Sequence, residues 1–136
     1  MLKVLMGKTG VGKTKVVIQM ANESAETAKG NVAFIDDDNR YMFDLRHEIR
    51  FINAGEYGVK SPEIFYGFTC GLLAQNFDID LVYVDAFLKL VREDVSTLNW
   101  MFEQLEAVAN KHNVRFVISC NGDQGAAPGF LQQYLI

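Results

Sequence analysis

The chain has 136 residues, a formal net charge of −4 and a pI near 5.1, a length that fits one domain, 1–136, able to bury a core without staples. With 49% apolar and 22% charged residues the balance is that of an ordinary globular protein. The acidity argues against a sequence-independent grip on nucleic-acid phosphates, and no apolar run approaches the roughly 18 residues a membrane-spanning helix requires.

The apolar run Leu2–Met6, ended by Gly7, reads as a buried strand. From Lys13 to Lys29 the period becomes helical. Val16, Val17, Met20, Ala21 and Ser24 fall on one face, and Gly30-Asn31 supplies the stop. Val32–Ile35 is a second buried strand closed by Asp36-Asp37-Asp38, and Ile49–Ile52 is a short third one. Ser61 and Pro62 read as N-cap and first turn of a helix carrying Ile64, Phe65, Phe68, Leu72 and Leu73 to about Asn76. Leu81-Val82-Tyr83-Val84 is a strand ending in Asp85. A long amphipathic helix is expected from about Asp94 to His112, with Leu98, Phe102, Leu105 and Ala109 on its core stripe. Val114–Ser119 is the last clear strand, followed by a polar loop at Asn121–Gly129 and a short helix at Phe130–Leu135. This alternation with continuously apolar strands predicts an α/β three-layer sandwich with a mostly parallel sheet of four to five strands. Its chemistry should gather at the carboxyl ends of the strands.

Between the first strand and first helix stands Gly7-Lys8-Thr9-Gly10-Val11-Gly12-Lys13-Thr14, which fits Gly-x-x-x-x-Gly-Lys-Ser/Thr at every specified position. Glycines there let successive backbone N–H groups converge on phosphate oxygens, and the following helix adds its positive end. Lys13 is expected on the β- and γ-phosphates and the Thr14 hydroxyl on Mg²⁺. The sequence thus resembles the P-loop NTPase superfamily over residues 1–38 and 80–121. That resemblance implies ATP and Mg²⁺ as ligands, with residues 7–14 as the phosphate cradle.

Within the superfamily, Leu81–Asp85 resembles a Walker B strand, so Asp85 should share the metal with Thr14. Ala86 follows it where many additional-strand ATPases carry a Glu that activates water. Ile35-Asp36-Asp37-Asp38 is similar to the acidic stretch after the second strand of the partitioning ATPases. Recombinase-like and rotary ATPases take their activating carboxylate from a neighbouring strand, which makes Asp36 and Asp38 the catalytic candidates, with Asp37 pointing away. Ser119 and Asn121 resemble the sensor position that bonds the γ-phosphate or the attacking water. Lys8 resembles the extra lysine of the deviant partitioning-ATPase loop, which crosses a dimer interface, although Thr9 stands where that family has glycine. The loop is also similar to that of twitching-motility ATPases. Arg40, Arg46, Arg50 and Arg92 are candidates for a charge-neutralising finger, Arg40 first. Asn121-Gly122-Asp123 does not match the Asn-Lys-x-Asp of a guanine pocket, which favours adenine.

Cys70 and Cys120 lack metal-ligand or redox-pair spacing and lie among apolar residues, so two buried free thiols and a reducing, cytoplasmic compartment are expected. No signal peptide is expected ahead of a motif beginning at Gly7. Two functional classes follow: a slow Mg²⁺-dependent ATPase acting as a homodimer or with a protein partner, and a nucleotide-sensing switch that barely hydrolyses. A small-molecule kinase would need a lid and an acceptor pocket.

Overall fold

The computed structural model describes every residue except Thr9 and Val11. Five strands, Leu2–Gly7 (β1), Asn31–Asp36 (β2), Arg50–Asn53 (β3), Ile79–Val84 (β4) and Arg115–Asn121 (β5), form one sheet in the order β1-β5-β4-β2-β3. Every pairing is parallel. The central strands are buried without interruption, Val32–Asp36 in β2 and Phe116–Cys120 in β5, because helices cover both of their faces. β1 alternates buried with half-buried residues, and the far edge strand β3 is half-buried throughout apart from exposed Arg50.

One face of the sheet is covered by helix α1, Lys13–Thr27, whose Val17 and Ala21 pack on Phe34, Tyr83 and Val117. The other is covered by α2, Pro62–Gln75, and α4, Asn99–His112, which bury Phe65, Leu73, Phe102 and Leu105 against Val82, Val84, Phe116 and Ile118. The result is the three-layer α/β arrangement expected. Ser61 caps α2 as its sequence suggests, its hydroxyl accepting the Ile64 N–H at 3.1 Å. At the C-terminus Leu135 bridges Val4 and the Ile136 N–H bonds the Val4 carbonyl, so the outer edge of β1 is partly covered.

Several local expectations are corrected. α4 begins at Asn99 rather than near Asp94, because the Asp94 side chain takes the Ser96 N–H at 3.1 Å and closes a separate 3-10 turn over Val95–Thr97. A short helix, Phe87–Val91 (α3), follows β4 directly, and its buried Phe87, Leu90 and Val91 fill the core beside α2. Val16 lies 43% exposed, since α1 meets only one sheet face and its core stripe narrows to Val17 and Ala21. Ile64 is likewise exposed. The C-terminal segment is a 3-10 helix, Gly129–Tyr134. Cys120 is buried but Cys70 only half-buried, and both are free thiols. Among the described residues no helix is long and apolar enough to cross a membrane.

Candidate functional site

A cleft of about 510 Å³ opens at the carboxyl ends of the strands, between the start of α1, the end of β2 and α3. Register determines what faces it. Ile35, Val84 and Ile118 stand side by side across β2, β4 and β5, so the next residues, Asp36, Asp85 and Ser119, form a polar row one step further on. Two residues earlier on the same strands, Phe34, Tyr83 and Val117 pack towards α1. Side chains repeat every second residue along a strand, which turns Asp36, Asp85 and Ser119 to that same face, at the head of α1.

Asp85 is 5% exposed and both its oxygens are partnered. The Thr14 hydroxyl donates to Oδ2 at 2.9 Å and the Ser119 hydroxyl donates to Oδ1 at 2.5 Å. The Asp85 N–H bonds the Ile35 carbonyl at 2.9 Å, which continues the β4–β2 ladder and fixes the carboxylate beside Asp36. Three side chains from α1, β4 and β5 are thereby joined into one chain of hydrogen bonds.

Asp36 is as deeply placed, 2% exposed, but half satisfied. Its Oδ1 accepts the Asp37 N–H at 2.8 Å, while Oδ2 is buried with no partner. Burial is the largest influence on its carboxyl, followed by its contact with the Asp37 side chain. With the charge of Asp85 also raising it, the carboxyl is pushed up to about 8. Asp38, by contrast, is half-exposed; its oxygens accept the Arg40 N–H at 2.8 Å and stand 3.5 Å from Arg40 Nη2. Strand alternation stops at Asp36 and the chain bends, so Asp37 does not point away as expected. It lines the cleft, and one oxygen from each of Asp36, Asp37 and Asp38 lies within 4.8 Å of the others. Gly55 braces this bend, since a Cβ there would stand 2.6 Å from the Asp37 carbonyl oxygen.

At the opposite wall, Gly10 and Gly12 adopt φ of +90° and +85°, a region costly to residues with a side chain. Gly12 caps α1 without a side-chain hydrogen bond, which leaves first-turn N–H groups of a 15-residue helix free to meet an anion. The Lys13 ammonium donates to the Lys8 carbonyl at 3.2 Å. Gly7 ends β1 in register with Asn121, which reaches the cleft from β5. Lys8 is exposed and is not among the residues lining the cleft. Thr9 and Val11 lie outside the described residues.

Of the four candidate arginines, Arg40 alone lines the cleft, its guanidinium also lying 5.8 Å from the Tyr41 ring centroid. Arg46 pairs with Glu26 at 3.3 Å and Glu48 at 3.2 Å, and Arg92 caps the end of α3. Cys120 is buried and its thiol is pushed up to about 12, chiefly by desolvation, so it is no nucleophile at neutral pH. Tyr41, Asp44, Phe87 and Lys89 also line the cleft, unanticipated from the sequence. The apolar run Phe87–Val91 directly after Asp85 was the available signal for α3.

The donors that Thr14 and Asp85 bring together are oxygen, which suits a hard cation such as Mg²⁺. No protein-family model matches the chain, and no curated protein matches it.

Proposed function

We propose that the cleft binds ATP with Mg²⁺ and that the protein is a slow Mg²⁺-dependent ATPase, working as an oligomer or with a partner. The observation that carries this reading is the Thr14–Asp85 hydrogen bond at the head of an uncapped helix. It brings a hydroxyl, a carboxylate and unpaired backbone donors to one point. The N–H groups of the glycine-rich loop and of α1 would hold phosphate oxygens. Lys13 would leave the Lys8 carbonyl for the β- and γ-phosphates, and Thr14 and Asp85 would hold the metal. Bound Mg²⁺ supplies charge neutralisation at the β- and γ-oxygens. Ser119 fixes Asp85 from behind. Its strand is inserted between those of the loop and of Asp85, which supports the additional-strand branch. Once ionised, Asp36 offers an unpartnered oxygen to a water proton, the role Ala86 is unable to fill.

The nucleotide-sensing switch is the second reading. It is favoured by Ala86 itself, held in left-handed conformation at φ 56° directly after Asp85, a position that carries no carboxylate.

Thermal unfolding with and without Mg²⁺-ATP tests the binding claim. At about 100 times the dissociation constant the expected gain is roughly 2.7 kcal/mol. Lys13→Ala should abolish the shift and leave the unliganded melting temperature unchanged. No shift with ATP, ADP or GTP at millimolar levels overturns the proposal. Turnover that rises with protein concentration and falls in Asp36→Asn and Asp38→Asn supports the ATPase. Lys8→Ala tests whether a second subunit contributes its lysine. Binding without turnover leaves the switch.

A further inference from the structure

The acidic bend after β2 has a property that the Asp85 row lacks. Both Asp85 oxygens are taken by hydroxyl donors, whereas Asp36 lines the cleft with its Oδ2 buried and without a partner. A buried carboxylate oxygen without a partner is costly to keep. The cations nearby do not serve it: the Lys13 ammonium is on the Lys8 carbonyl, and Arg40 is held to Asp38 in an exposed pair.

The neighbouring carboxylates converge on the same place. One oxygen each from Asp36, Asp37 and Asp38 lies within 4.8 Å of the other two. Carboxylates on an irregular bend suit Ca²⁺, which takes about six to eight oxygens in flexible geometry, better than Mg²⁺, which demands a near-ideal octahedron and gives up its waters reluctantly. The bend is also held from outside, by Gly55 against the Asp37 carbonyl and by Glu56 accepting from Asn39 at 3.4 Å and Asn53 at 3.3 Å.

We propose that Asp36, Asp37 and Asp38 form a divalent-cation site of their own, of the Ca²⁺ class, that fills without nucleotide and without Asp85. The ion takes the free Asp36 oxygen as its buried ligand, Asp37 and Asp38 as its outer ones, and water for the rest. Arg40 competes with it for Asp38. Three carboxylates on a surface bend place the affinity at about 10⁻⁴–10⁻³ M. The site stands independently of the nucleotide reading, which the Lys13→Ala shift tests separately.

Calorimetric titration of the nucleotide-free full chain with CaCl₂, and in parallel MgCl₂, is the test. One Ca²⁺ should bind in that range and Mg²⁺ about tenfold more weakly. Asp36→Asn and Asp38→Asn should each weaken Ca²⁺ about tenfold or more, Arg40→Gln should tighten it, and Asp85→Asn, which removes only a neighbouring charge, should change it far less than either Asp variant. Asp38 is half-exposed, so its variant decides the matter if Asp36→Asn does not fold. No Ca²⁺ heat and no Ca²⁺-dependent melting shift up to about 10 mM, well above the affinity expected, would overturn the proposal. So would an Asp85→Asn loss as large as that of Asp36→Asn, which would mean a single site shared with Asp85.

Discussion

Asp85 and Asp36 close neighbouring parallel strands, face the same helix and are both almost fully hidden, yet they live in opposite states. Asp85 accepts two hydroxyl hydrogen bonds and holds three elements together. Asp36 has one backbone donor and one oxygen with nothing. Two carboxylates at equal depth therefore differ in what they do for the fold. The first joins α1 to β4 and β5. The second is a liability in the unliganded protein, of the kind retained at sites that wait for a proton, a water or a cation.

The comparison breaks most sharply at Asp85 itself. Asp85→Ala should cost about 3 kcal/mol in denaturant unfolding, because the buried Ser119 hydroxyl and the Thr14 hydroxyl both lose a charged acceptor. A loss under about 0.5 kcal/mol, the size of an ordinary surface change, would deny Asp85 its joining role.

Ser119→Ala would make Asp85 resemble Asp36, with one oxygen orphaned. The expected cost is about 2 kcal/mol, and Ser119→Thr, which keeps the hydroxyl, should lose less. Equal losses in the two variants would indicate packing at this tight position rather than the hydrogen bond.

Removing the charge from Asp36 should act in the other direction. Its carboxyl sits near 8 rather than at the ordinary 3.8, so between those values the folded chain holds a proton that the unfolded chain lacks. Unfolding free energy should therefore rise as pH falls from about 8 towards 4, with a slope of at most ~1.4 kcal/mol per pH unit. Above pH 8 the buried carboxylate is ionised and that stability is gone. Asp36→Asn should flatten the slope and, at pH 8, stabilise the unliganded protein by about 1 kcal/mol. Unfolding curves across pH for both proteins check this, and an unchanged slope in the variant would assign the pH dependence elsewhere. Asp85→Asn should move the upper end of the slope to lower pH, since the Asp85 charge is one of the influences raising Asp36.

What the sequence determined by itself is local. Apolar runs marked all five strands to within one or two residues, and helical spacing marked α1 and α2. Ser61-Pro62 announced its helix start because a cap and a first-turn proline act within four residues of chain. The glycine-rich loop, Asp85 and Ser119 were legible as candidates for the same reason: each is a residue type at the end of a recognisable run. The tertiary structure alone decided the strand order and the register that sets Asp36, Asp85 and Ser119 in one row, since ladder pairing joins residues 34 to 49 positions apart that carry no mark of one another. It also decided that Asp37 joins Asp36 and Asp38, because the bend begins where β2 stops pairing and alternation no longer applies. α3 and the late start of α4 were settled in the same way. Packing of Phe87 and Leu90 into the core sets α3, and the Asp94 side chain's capture of a nearby N–H delays a helix whose period reads equally well from Asp94. Which carboxylate found partners and which did not was the last thing decided, because it depends on where the hydroxyls of two other elements come to rest.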